Sequence, residues 1–140
     1  MIFKNLSKNL IFNLLIIILI FTFDRITKTY IIYLNDKAFG VELFLSKFLN
    51  ISLVWNQGIA FGLLSVDQNI FYNLLTLVIV VIIFVIFVMM IQSNGLKKYF
   101  LTMIIGGAVG NLYDRIVYKA VPDFIDFHIA DFHWFIFNFA

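Results

Sequence analysis

The sequence predicts an all-α polytopic membrane protein carrying a small β-rich element at the membrane surface, and three observations predict it. Hydrophobic residues make up 63% of the 140 residues and charged ones 13%, and the mean hydropathy is +1.01, far outside the soluble range. Apolar runs near the roughly 20 residues needed to cross a bilayer recur along the chain. Between the first two runs lies a more polar segment with short β-prone stretches. A net charge of +2 with scattered lysines gives no reason to expect nucleic acid as a partner. The absence of cysteine excludes disulfides, thiol nucleophiles and cysteine-ligated metals, and leaves the compartment open.

Met1 to Asn9 carries Lys4 and Lys8, and Leu10 to Phe23 is apolar except for Asn13 and Thr22. A secretory signal peptide also starts this way, but no small-residue cleavage site follows, so a retained first helix from near Leu6 to near Ile26 is expected. Asp24, Arg25, Thr27 and Lys28 then close that helix at the interface; Asp24 and Lys28, four apart, can pair on one face or simply form a snorkelling helix end. Leu34 to Gln68 reads as water-exposed, with strands over Val41–Leu45 and Asn50–Trp55 and a tight interfacial turn over Asn56–Gly62. Asn69 to Ile91 is the clearest span, and Gln92 to Lys98 a polar loop.

A third span starts near Tyr99 and runs into Gly106–Asp131, where Asn111, Asp114, Arg115, Asp123, Asp126, His128 and Asp131 follow three glycines. Charge at membrane depth is costly, so it implies chemistry or ion pairing. With Leu101–Tyr118 helical, Gly107, Asn111, Asp114 or Arg115, and Tyr118 share one face, and the small residues let a second helix approach. Pro122, the only proline, marks the end of that helix and leaves Asp123 at the mouth of the bundle. Trp134 to Ala140 looks like the start of another apolar helix. No repeat suggests a second domain, so residues 1–140 form one unit. Lys4, Lys8, Lys97 and Lys98 place the N-terminus and the Gln92–Lys98 loop in the cytoplasm by density, although a raw count of basic residues favours the other side.

Four blocks carry a resemblance to a known family: Asp24-Arg25-Ile26-Thr27-Lys28; Asn56-Gln57-Gly58-Ile59-Ala60-Phe61; Gly106 to Arg115; and Val121-Pro122-Asp123-Phe124-Ile125-Asp126 followed by Phe137-Asn138-Phe139-Ala140. In this order between apolar runs the chain resembles lipoprotein signal peptidase, signal peptidase II, over nearly its whole length. The resemblance implies a four-helix transmembrane bundle, its fourth helix cut short here, with the β-rich element on the extracytoplasmic side and both termini in the cytoplasm. It implies a multi-pass protein of the bacterial inner membrane, working as a monomer beside lipid, with its site near the extracytoplasmic face. The substrate would be a diacylglyceryl-modified prolipoprotein, cut just before the lipidated cysteine, with neither cofactor nor metal. Of the two catalytic aspartates one would be Asp123. The other would follow Ala140, where the sequence stops, so the domain is expected to be C-terminally incomplete and the 140-residue form inactive.

The remaining roles come from the same resemblance. Asn111, Asp114 and Arg115 would form a buried polar network that positions the dyad and the substrate backbone, with Asp24 among the charge partners of Asp114 and Arg115 and Lys28 as site support; Asn56 and the Gly58, Ala60, Phe61 turn would lie over the cleft, and Asn138 would hold the segment of the second aspartate. Metal-free peptide hydrolysis needs one group to take a proton from water and another to give one to the carbonyl, which two adjacent carboxyls sharing a proton can do. Position alone does not rank Asp114 against Asp123, and Asp114 and Arg115 read equally well as a scaffold ion pair. Three other readings compete. A metal hydrolase would use Asp123, Asp126, His128, Asp131 and His133, but without a His-Glu-x-x-His arrangement the histidines read as solvated or amide-bonded. A small transport or channel subunit would use Asp114 and Arg115 as a charge relay, and a purely structural subunit leaves the Gly106–Asp126 charges unexplained.

Overall fold

The computed structural model describes residues 2–37, 40, 42–57, 68–129 and 132–140, so Gly58, Ala60, Phe61 and Asp131 lie outside the described residues. Among the described residues three helices and four strands follow in the order α1 (Ile2–Lys37), β1 (Glu42–Ser46), β2 (Leu49–Asn56), α2 (Gln68–Gln92), α3 (Gly95–Tyr118), β3 (Val121–Ile129) and β4 (Phe132–Phe137). By length and composition Leu10–Lys37 and Tyr72–Gln92 can each cross a membrane, and only 11% and 6% of their most apolar windows are buried within the chain. A core helix of a soluble protein would be mostly covered; these two present bare Leu, Ile, Val and Phe, as a lipid-facing helix does.

The first helix is longer than expected. Rather than ending near Ile26, α1 continues to Lys37, and Asp24 and Lys28 lie fully buried in its middle, not at an interface. The charges that looked like a stop signal are neutralised against α3, so the helix has no need to break there. Only Ser93 and Asn94 separate α2 from α3, so much of the expected Gln92–Lys98 loop is helical. The glycines of α3 make the approach to α1 close: a methyl group on Gly106 would meet Ile20 Cβ at 3.0 Å, and one on Gly110 would meet Asp24 Oδ2 at 2.5 Å. The Tyr72 hydroxyl donates to the Arg115 carbonyl at 3.2 Å and ties α2 to α3.

The α3 helix closes at Lys119, a non-glycine residue in the left-handed conformation (φ 57°), and the chain turns straight into β3. Pro122 therefore sits within a strand, opposite Trp55, and Val121 before it is extended as a pre-proline residue prefers. All strands pair antiparallel in the order β1-β2-β3-β4. The expected pair over Val41–Leu45 and Asn50–Trp55 is found as β1, one residue later, and β2, one residue longer at each end. Residues from Trp134, expected to start a fourth helix, are instead in β4 up to Phe137, because an aromatic-rich run next to β3 satisfies its backbone through the hairpin. The helical hairpin α2–α3 is thus inserted between two neighbouring strands, and Asn56 at the end of β2 pairs with Val121 at the start of β3. Phe139 packs between Phe23 of α1 and Phe124 of β3, at 5.2 and 5.7 Å between ring centroids.

Candidate active site

Two linked groups of polar side chains meet where α1, α3 and the sheet converge. The first is an ion network centred on Lys28, whose three ammonium hydrogens are all used. Its Nζ lies 2.8 Å from Asp24 Oδ1, 2.7 Å from Asp114 Oδ2 and 2.8 Å from Asn111 Oδ1. Arg25 closes the ring, with Nη2 2.8 Å from Asp24 Oδ2 and Nη1 2.6 Å from Asp114 Oδ1, while its guanidinium lies over the Tyr113 ring at 4.8 Å. Two carboxylates and two cations balance, which is how charge is tolerated at this depth.

The second group surrounds Asp123, which is buried in β3. Its Oδ2 accepts from Asn56 Nδ2 at 2.9 Å and its Oδ1 from Asn138 Nδ2 at 2.5 Å. The strand register explains the first bond: Asn56, Val54 and their partners Val121 and Asp123 share one face of the sheet. Asn138 follows β4 directly and reaches back across β3. The two groups join at Asn111, whose side-chain oxygen accepts from Lys28 and, at 3.2 Å, from Asn138. One continuous chain of contacts therefore runs from Asp24 through Lys28, Asn111 and Asn138 to Asp123 and Asn56.

Asp24, Lys28, Asn56, Asn111, Asp114, Asp123 and Asn138 are all brought together as the sequence suggests. Arg115 is not part of the ion network: its Nη1 donates to the Asn111 carbonyl at 3.0 Å, a bond within α3. The arginine that joins Lys28 in pairing with Asp114 and Asp24 is Arg25, which the sequence reading placed at a helix end and gave no part in the site. Its signal was the spacing of Asp24, Arg25 and Lys28, legible only once α1 is known to continue through them. Asn138 Oδ1 also accepts from the Ala140 amide at 2.7 Å, and the Ala140 backbone lies against Gly107, so the end of the described chain is packed beside α3.

The family profile for signal peptidase (SPase) II matches residues 16–140, nearly the whole chain. This chain belongs to the signal peptidase II family. Among its relatives, the lipoprotein signal peptidase of Pelagibacter ubique (strain HTCC1062) is 51% identical over 133 residues, which is 95% of this chain and 80% of that protein. The lipoprotein signal peptidase of Anaplasma marginale (strain Florida) is 38% identical over 95% of this chain and 77% of its own length. A bacterial membrane enzyme solved by the in meso method at 2.3 Å resolution superposes with a TM-score of 0.69 at 29% identity, over 91% of this chain and 76% of that one. Membership in this peptidase family makes the chain a hydrolase and fits the lipid-facing exteriors of α1 and α2.

Proposed function

We propose that this signal peptidase II removes the signal peptide from diacylglyceryl-modified prolipoproteins, cutting before the lipidated cysteine, with Asp123 as one of two catalytic aspartates. The observation that carries the reading is the cradle around Asp123: two amides from opposite sides of β3 hold one buried carboxylate in a fixed orientation. The second aspartate would follow Ala140 in the full-length enzyme. Asn138 supports that placement, because it grips Asp123 with its nitrogen and the Ala140 amide with its oxygen. In the reaction one ionised carboxylate takes a proton from water as the water attacks the scissile carbonyl, and the protonated partner donates to the carbonyl oxygen. The new acid then protonates the leaving amine as the C–N bond breaks, and the partner carboxylate takes back a hydroxyl proton from the gem-diol.

Asp24, Arg25, Lys28, Asn111 and Asp114 act in this account as the charge-balanced base on which Asn138 is oriented, and Arg115 stiffens α3. The enzyme is read as a four-helix bundle that works as a monomer in the bacterial inner membrane, its site near the extracytoplasmic face. Exposed Phe44, Phe48, Phe132, Trp134 and Phe135 on the sheet suit contact with lipid headgroups. A charge relay through Asp114 and Arg115 is disfavoured, since Asp114 is clamped by two cations and Arg115 is bonded to backbone. The test uses the chain with its natural C-terminus in proteoliposomes, offered one prolipoprotein with and without the diacylglyceryl group. Cleavage of the modified form alone, with cysteine as the new N-terminus by mass, is expected. Equal cleavage of both forms would reject the substrate assignment.

A further inference from the structure

The β3–β4 hairpin carries a second cluster, apart from the groups around Asp123. Along β3, Asp123 and Ile125 point to one face and Asp126 and His128 to the other. His133 reaches that same face through an irregularity in the ladder: Phe127 pairs with Phe135, but His128 pairs with His133, so Trp134 is the extra residue. In an unbroken register Trp134 would stand opposite His128. The bulge instead stacks the two imidazoles, 5.2 Å apart at 27°.

The geometry points to a structural zinc site formed by Asp126, His128 and His133. One ligand-type atom from each lies within 4.8 Å of the others. His133 Nδ1 is 2.8 Å and His128 Nδ1 3.9 Å from Asp126 Oδ2. These separations bracket the roughly 3.3 Å that bonds of about 2.0–2.1 Å subtend in a tetrahedron. An ordinary hydrogen bond accounts for His133 and Asp126, and leaves His128 unexplained. The His128 side chain is only 12% exposed, and its Nδ1 has no hydrogen-bond partner. This nitrogen is thus neither solvated nor amide-bonded, the states expected from the sequence. Asn50, directly across β2 from Asp126 and on the same face, is nine-tenths buried, and its Oδ1 also lacks a partner. Two unpaired buried acceptor-capable atoms beside one buried carboxylate are what a borderline cation of zinc type satisfies, with two imidazoles and a carboxylate as ligands and the amide oxygen or water in the fourth place. Entry is from the side of His133, which is half exposed.

The site is separate from the chemistry, because Asp123 is not among its ligands. Its effect is to lock β3 to β4 five residues before Asn138, the side chain that orients Asp123. The test is titration of zinc chloride into the tag-free full-length protein in detergent, after chelator treatment, read by calorimetry, metal content and melting temperature. One zinc per chain and a raised melting temperature are expected. His133→Ala, an exposed change that leaves the core intact, and His128→Gln are expected to weaken binding more than about tenfold, as even losing an outer partner does. Glu42→Gln, on β1, is expected to bind like the wild type. Loss in either histidine variant with retention in Glu42→Gln supports the site; no stoichiometric zinc in the wild type, or unchanged binding in both histidine variants, overturns it.

Discussion

Lys28 is fully buried on a helix whose other faces meet lipid, and it survives there because three acceptors surround its ammonium group. Removing it leaves Asp24 and Asp114 with only Arg25 between them, so Lys28→Met is expected to destabilise the folded protein by about 3–5 kcal/mol, the usual cost of breaking a buried ion network. Thermal unfolding in detergent checks this, and a melting temperature unchanged from the wild type would contradict the network's role. The pairing of Asp24 with Lys28 was legible in the sequence from their spacing of four. Arg25 was not, because a charged cluster after an apolar run reads as a helix end until the third dimension supplies Asp114. Arg115 was misread for the complementary reason: an arginine beside a buried aspartate invites pairing, yet Arg25 and Lys28 reach Asp114 from α1, and Arg115 turns instead to the Asn111 carbonyl one turn back in α3.

Between elements, the seam of α1 against α3 depends on hydrogen atoms where other residues have methyl groups. Gly110→Ala would press a methyl group into the Asp24 carboxylate, which Arg25 and Lys28 already hold in place. The expected loss of about 1–3 kcal/mol from overpacking exceeds the gain of roughly 1 kcal/mol in helix propensity. Chemical denaturation of the two proteins in the same detergent measures the balance, and a stabilised Gly110→Ala would refute the close approach. The glycine seam, β1 and β2 were readable because each has a local signature in spacing or β-propensity. The last strands were not. Val121–Ile129 and Phe132–Phe137 are mostly apolar and aromatic, a pattern that strands and buried helices share, and the choice was decided by pairing with β2, some 70 residues earlier in the chain.

At the scale of the whole molecule, the sheet gathers what the sequence separates. Because α2 and α3 are inserted between β2 and β3, Asn56 and Asp123 come to share one face, and the turn into β3 brings Asp123 beside the buried network of α1 and α3. The family was legible from four blocks in order, and the convergence of those blocks on one carboxylate follows from the topology. The most direct test compares Asp123→Asn with the wild type, both with their natural C-terminus, on a diacylglyceryl-modified prolipoprotein. The account predicts that the variant melts within a few degrees of the wild type and that its cleavage rate falls about 10²- to 10⁴-fold, the usual contribution of a proton-transferring group. Cleavage by a folded Asp123→Asn at the wild-type rate would contradict it and return Asp114 to consideration as the catalytic carboxylate.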